Sequence, residues 1–351
     1  METVLPYAAT CPLPAGMSEL LMAGFLQGKG IELVKAKTVP LWVPANSEIV
    51  IEGFVNTDCG DCGWEPSDEP LGKGAVFEGP FGDHTGFYSM PDRYPIVEVT
   101  AVTHRKDAVF PATVVGPPPQ EDYYLGKATE RIMLPLLKVL IPDIIDYHLP
   151  KFGTFHNCVF VKIKPQYKEH ARKVMHAIWG AGQLAWTKII VVVNELVDVH
   201  DEHAVFEMVT GIDINNDIEI VRGALDILDH ASPEVGSGGK LGIDATNAVP
   251  DSDGVGFVFV EKLKGGDGAT AIEKTYQNKY AKLIFAVDHD VQQDDYGDIF
   301  FNFCACFDPS RDIHYFDNCL GFDGTTKMSG DERNGKAVRK WPPKLVVNNC
   351  D

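Results

Sequence analysis

Positive charge is scarce in this chain. Against 50 Asp and Glu there are 31 Lys and Arg, a formal net charge of −19 over 351 residues. A surface of that sign repels nucleic acid and anionic membranes, so neither is an expected partner. An anionic ligand would need local cations or a metal to offset the field. Long apolar runs are lacking too. The best candidate, residues 132–145, is too short and is broken by Pro135, Lys138, Pro142 and Asp143, so no membrane span is expected. Met1-Glu-Thr-Val gives no basic start followed by an apolar run. No signal peptide is read there, and the expected location is cytoplasmic. Cysteines stand at 11, 59, 62, 158, 304, 306, 319 and 350. Cys59-Gly-Asp-Cys62 has CxxC spacing, but no second pair completes a zinc site. Gly63-Trp-Glu-Pro66 does not open a helix as a redox CxxC does, so reduced, unliganded thiols are expected.

What is present suits a globular protein of two or three domains, 45% hydrophobic. Ser18 can cap a helix through residue 26 that Gly28 and Gly30 end. Strand character shows at 31–35, 48–54, 96–103 and 109–115, with a Gly-, Asp- and Pro-rich loop at 56–74. Gly116-Pro-Pro-Pro119 breaks the chain, and a helical pattern follows over 123–139. From Phe155 the style turns to α/β: a strand at 158–163, a helix at 167–179, a buried strand at 188–193 and a helix at 202–210.

An internal repeat stands out in the second half. Lys188-Ile-Ile-Val-Val-Val resembles Lys282-Leu-Ile-Phe-Ala-Val. Asp213-Ile-Asn-Asn-Asp217-Ile resembles Asp308-Pro-Ser-Arg-Asp312-Ile, and Ile243-Asp-Ala-Thr resembles Phe322-Asp-Gly-Thr. Chance likeness between buried strands with acidic turns is the alternative to duplication.

Glu78-Gly-Pro-Phe-Gly-Asp83-His-Thr-Gly-Phe-Tyr-Ser89 is the stretch richest in chemistry. Its glycines tolerate close approach and positive φ, and Pro80 stiffens the turn. If the turn folds back, Glu78 and Asp83 face one pocket. Neighbouring carboxylates in a partly dry site push each other's pKa values apart, which suits a general acid/base pair. The same spacing also suits a polar surface loop that happens to hold two acids.

This stretch resembles the signature loop of the UbiD family of decarboxylases, which use prenylated FMN. The likeness runs upstream through Pro14-Ala-Gly-Met-Ser-Glu19, Glu32-Leu-Val-Lys35 and Val43-Pro-Ala-Asn-Ser-Glu48. Downstream it takes in Tyr94-Pro-Ile-Val, Pro111-Ala-Thr-Val, Leu125-Gly-Lys-Ala-Thr-Glu-Arg131 and Gly239-Lys240-Leu-Gly-Ile-Asp-Ala-Thr246. Several ordered blocks over about 250 residues are more specific than any one of them. The implied fold is mixed α+β and α/β. Residues 1–116 would be the second half of a split β-barrel that binds prenylated FMN, and 117–149 a linker helix. Residues 150–247 would be an α/β oligomerisation domain, and 248–351 an extension that repeats it in diverged form.

The resemblance also implies roles. Asp83 would donate the proton that replaces CO₂, with Glu78 tuning it and His84 lining the pocket. Glu19 would be a ligand of Mn²⁺ or Mg²⁺ at the flavin phosphate, with K⁺ a further candidate ion. A carboxylate beside a phosphate needs such a hard cation between them. Without the family, Glu19 reads as a first-turn acid favoured by the helix dipole. Cys11 and Pro12 would lie beside cofactor and substrate. Lys240, after Gly-Ser-Gly-Gly, would reach the cofactor from a loop able to close. The family's network arginine and its other metal ligands have no counterpart here. The resemblance therefore implies a partner, a missing N-terminal portion or subunit, besides a flavin prenyltransferase as cofactor source and a homo-oligomer. The implied activity is decarboxylation of an aromatic or α,β-unsaturated acid, such as a polyprenyl-hydroxybenzoate of quinone biosynthesis. The alternative is a non-catalytic assembly subunit.

Overall fold

The computed structural model describes residues 8, 13, 16–59, 71, 73–154, 156–252, 254–278 and 281–346. The chain divides into two compact units, Met1–Gly116 with Pro342–Asp351, and Pro117–Trp341.

Among the described residues the first unit holds three antiparallel ribbons, the longest of them rich in β-branched residues. β1 (Leu33–Lys35) pairs with β2 (Trp42–Pro44), β3 (Ile49–Val55) with β6 (Val97–His104), and β4 (Ala75–Glu78) with β5 (Asp92–Pro95). Ahead of them runs α1 (Glu19–Gln27). The Ser18 hydroxyl accepts from the Leu20 N–H at 3.2 Å, and Gly28, at φ 70°, ends the helix. Glu52 on β3 is buried yet satisfied. Its carboxylate accepts from the N–H groups of Lys37 at 2.8 Å and Thr38 at 2.6 Å, and from the Thr38 hydroxyl at 2.7 Å. Those backbone bonds hold its pKa below the usual carboxylate value. The expected strand at 109–115 does not form. Pro111 lacks a ladder donor, and the Val109 N–H is taken by Glu48 Oε2 at 3.2 Å.

The second unit opens with α2 (Glu121–Leu140), which tolerates Pro135 within it. A five-stranded sheet follows, in the order β10-β11-β9-β8-β7. Its strands are β7 (Ile144–His148), β8 (Cys158–Ile163), β9 (Ile189–Val193), β10 (Ile218–Ala224) and β11 (Ser237–Asp244). Between them lie α3 (His170–Ile178) and α4 (Glu202–Thr210). A four-stranded sheet has the order β12-β13-β15-β14, built from β12 (Val255–Val260), β13 (Leu283–Asp288), β14 (Ile313–Phe316) and β15 (Cys319–Asp323). Its helices are α5 (Asp267–Gln277), α6 (Tyr296–Cys306) and the single turn α7 (Pro309–Asp312).

β8, β9 and β11 run parallel with β10 antiparallel at the edge, and β12, β13, β15 and β14 repeat that order and sense. Register repeats as well: Ile189 stands between Cys158 and Leu241 as Leu283 stands between Val255 and Leu320. So do the turns. The Asp213 N–H donates to Asp217 Oδ2 at 2.7 Å, and the Asp308 N–H to Asp312 Oδ2 at 2.8 Å. The Thr246 hydroxyl donates to Asp244 Oδ1 at 2.6 Å, as the Thr325 hydroxyl does to Asp323 Oδ1 at 2.6 Å. One apolar core joins the two sheets through Phe160, Val191, Phe285, Phe300, Phe303 and Phe322. A second core packs Leu137 of α2 and Val174 and Met175 of α3 on the first sheet.

Candidate active site

β4 delivers Glu78 to the start of the signature turn. Gly79 takes φ 103°, which a side chain would resist, and the Gly79–Pro80 peptide is cis. The loop then closes on itself. The Asp83 N–H donates to Phe87 O at 3.2 Å, the Gly86 N–H to Asp83 O at 3.1 Å, and the Ser89 N–H to Phe81 O at 2.6 Å. In the β4–β5 register Glu78 stands opposite Asp92 and Val76 opposite Tyr94. Side chains alternate along a strand, so Glu78, Asp92 and Tyr94 share one face of the ribbon. Burial raises the Tyr94 hydroxyl above its ordinary pKa, and the charges of Asp92, Glu78 and Asp83 add to the effect. Glu78 and Asp92 therefore share the Tyr94 face, and the charge of Asp83 reaches that phenol as well.

Asp83 is fixed by its neighbour. Its Oδ1 accepts from the His84 N–H and from His84 Nδ1, each at 2.8 Å. Side-chain exposure is 16% for His84 and 25% for Asp83, so the pair is drawn from bulk water without being sealed from a ligand. A carboxylate bonded to an imidazole can hold one proton between two basic atoms and release it at one of them.

A segment distant in sequence also belongs to this loop. The Tyr88 N–H donates to Pro343 O at 3.0 Å, and the Leu345 N–H to Gly86 O at 2.8 Å. A Cβ on Gly82 would come within 2.7 Å of Leu345 Cδ1. Residues 343–345 thus lie along the signature turn, and nothing local in Pro342-Pro343-Lys344-Leu345 announces it. Tyr94 and Asp92 had a readable signal in hindsight, the short distance between two extended runs on either side of the turn.

The other expected site residues do not gather so clearly. Glu19 is exposed on the first turn of α1. Among the described residues no group of three His, Cys, Asp or Glu ligands includes it; the group that forms is Glu130, His148 and His200 in the second unit. One hard oxygen is far short of the roughly six that Mg²⁺ or Mn²⁺ takes. The metal implied at the flavin phosphate therefore does not fit the described residues of this chain, and no step is derived through it. The acid pair does fit a proton-handling role beside an organic electron sink. Cys11, Pro12 and Cys62 lie outside the described residues, and Cys59 is half-buried.

Lys240 corrects an expectation. Gly-Ser-Gly-Gly does not form a mobile loop: Ser237 to Lys240 lie in β11. The lysine is 2% exposed, and its ammonium donates to the carbonyls of Ala185 and, at 3.0 Å, Thr187. Burial pushes its pKa from 10.5 to about 8. The glycines serve close packing. A Cβ on Gly239 would meet Ser310 N at 2.3 Å, and one on Gly238 would meet Asp308 Oδ2 at 2.4 Å.

Comparison with known proteins bears on the family and the fold. Residues 1–118 match the Rift-related domain of 3-octaprenyl-4-hydroxybenzoate carboxy-lyase, UbiD, and residues 123–245 and 255–340 match its C-terminal domain. An uncharacterized protein of Aquifex aeolicus is 48% identical over 246 residues, covering 70% of this chain and 48% of the relative. One from Archaeoglobus fulgidus is 47% identical over 242 residues, covering 68% and 47%. The chain thus spans about half the length of the curated relatives it matches. Among solved structures, the UbiD-class enzyme HmfF of Pelotomaculum thermopropionicum, in complex with FMN, aligns with TM-score 0.55 at 27% identity, covering 74% of this chain and 55% of that one. Vanillic acid decarboxylase of Sedimentibacter hydroxybenzoicus aligns with TM-score 0.59 at 25% identity, covering 78% and 55%. The match of both domain models, over residues 1–118 and over 123–245 and 255–340, makes this protein a member of the UbiD carboxy-lyase family.

Proposed function

We propose that this chain supplies the acid–base machinery of a prenylated-FMN-dependent decarboxylase acting on an aromatic or α,β-unsaturated carboxylic acid. The observation that supports it most is that Glu78 shares a ribbon face with Tyr94, that the charge of Asp83 also acts on that phenol, and that Asp83 is bonded to His84. In decarboxylation the bond from carbon to carboxylate breaks, CO₂ departs, and the electron pair stays on carbon. When bound, the prenylated flavin supplies the electron sink. What remains is to bring one proton to that carbon. Asp83 is the donor, and His84 Nδ1 holds its carboxyl in one orientation between turnovers. Glu78 adds negative charge to the face that carries Tyr94.

A non-catalytic assembly role is the second reading. The exposed position of Glu19, outside any cluster of ligands among the described residues, favours it. CO₂ release separates the two. The protein, reconstituted with prenylated FMN and Mn²⁺ and with the complementary portion of a longer relative, is assayed on a panel of phenolic and cinnamate-like acids. Asp83→Asn and Glu78→Gln should each lower the rate by on the order of 10²–10⁴ while leaving circular dichroism unchanged. CO₂ release at the same rate in both variants would remove the assignment, and no release from any wild-type preparation would favour the assembly role.

A further inference from the structure

A second cluster of ligating side chains lies in the other unit, where α2, β7 and the entry to α4 meet. α2 supplies Lys127, Glu130 and Arg131; β7 supplies Asp146 and His148; the turn into α4 supplies His200, followed by Glu202. His148 Nδ1 and His200 Nδ1 stand 3.1 Å apart. Both Nε2 atoms face carboxylates, His148 towards Glu202 Oε1 at 3.3 Å and His200 towards Asp146 Oδ2 at 3.1 Å. A carboxylate only accepts, so each Nε2 bears the proton. In the neutral rings both Nδ1 atoms then present lone pairs to one another. At 3.1 Å that contact is repulsive unless a cation joins them.

The third donor is Glu130, whose side chain is 0% exposed. One carboxylate oxygen is 3.7 Å from His148 Nδ1 and the other 3.9 Å from His200 Nδ1. The cation present is an internal one. Lys127 Nζ lies 2.9 and 2.8 Å from the two Glu130 oxygens and 2.7 Å from His148 Nδ1. Its side chain is 26% exposed, so the stem has a way out to water.

We propose that Glu130, His148 and His200 form a site for a divalent transition metal, zinc by preference, and that the metal displaces the Lys127 ammonium. Two imidazoles and one carboxylate are the donor set of an open zinc site, with a water in the fourth position. Hard ions such as Mg²⁺ take oxygen-rich octahedral sites instead. Carboxylates on the far ring nitrogens are what orient ligating histidines and raise their basicity. Zinc bonds of about 2.0–2.1 Å place tetrahedral ligand atoms roughly 3.3 Å apart, so the two nitrogens are nearly in place, while the carboxylate, with a different oxygen nearer each ring, must turn and move in to offer one oxygen to the ion. Charge agrees. Glu130, Asp146 and Glu202 are opposed by Lys127 and Arg131, one cation short, and a dication in place of the ammonium brings the cluster to neutrality. The ion would tie α2 to the edge of the first sheet and to α4.

Metal titration of the EDTA-stripped full chain tests this. Zinc should bind at one equivalent by calorimetry, and Co²⁺ in its place should give visible ligand-field bands without thiolate charge-transfer bands. His200→Ala, a change at a side chain 35% exposed, should abolish binding while the circular dichroism stays native. Glu202→Gln should weaken it by about 10–100-fold, and Lys127→Met should tighten it. Absence of stoichiometric binding by the folded wild type would overturn the site. So would undiminished binding in His200→Ala, or thiolate bands that trace the metal to cysteine. Unchanged affinity in Lys127→Met would overturn the displacement.

Discussion

Asp83 and Lys240 show what a residue's surroundings add to its identity. The fold adds a bond of 2.8 Å between Asp83 and His84, whose place side by side in one turn was legible before any fold was known. Lys240 was not. Glycines before a lysine read as a hinge, whereas here they admit Ser310 and Asp308 against a strand. The burial that follows has a pH consequence. The folded chain sheds the Lys240 proton near pH 8, whereas an unfolded lysine keeps it to 10.5. Between those values the unfolded state binds more protons, so stability contributed by this site rises with pH. Denaturant titrations of wild type and Lys240→Met across pH 7.5–10.5 should show the wild type gaining on the variant over that interval. Parallel profiles would mean that the ammonium is not desolvated.

At the scale of elements, regular segments were the easiest to read. The strand at Cys158–Ile163 and the helix at Glu202–Thr210 fall where the sequence pattern puts them, and Asp201 caps the helix. The stretch at 109–115 is just as apolar but has no strand to pair with among the described residues, and composition alone could not reveal that. Residues 343–345 escaped notice for the opposite reason. Their order comes from pairing with the signature turn more than 200 residues earlier in the chain, a contact with no local signature. A chain ending at Trp341 should therefore exchange the Tyr88 amide faster, because its acceptor is Pro343 O at 3.0 Å. Equal protection of Tyr88 with and without the tail, by hydrogen exchange and mass spectrometry, would contradict that pairing.

For the molecule as a whole, the two units differ in how their apolar surface is used. The second unit buries its strands in two large cores. The first unit leaves Ile51 65% exposed, Phe54 56%, Val97 52% and Val102 56% on the β3–β6 ribbon. A two-stranded ribbon with unpaired edges and apolar faces is marginal in water. Limited proteolysis should cut within residues 17–116 before it cuts within 117–341, and equal resistance of both units in a monomeric protein would contradict the argument. The central claim is that Asp83 delivers the proton, and isotope exchange tests it most directly. With reconstituted wild type, substrate should yield decarboxylated product carrying solvent deuterium and should also exchange its carboxyl with labelled CO₂. In Asp83→Asn, carboxyl exchange should persist while deuterated product falls by on the order of 10²–10⁴. Product formed at the wild-type rate by Asp83→Asn would contradict the account.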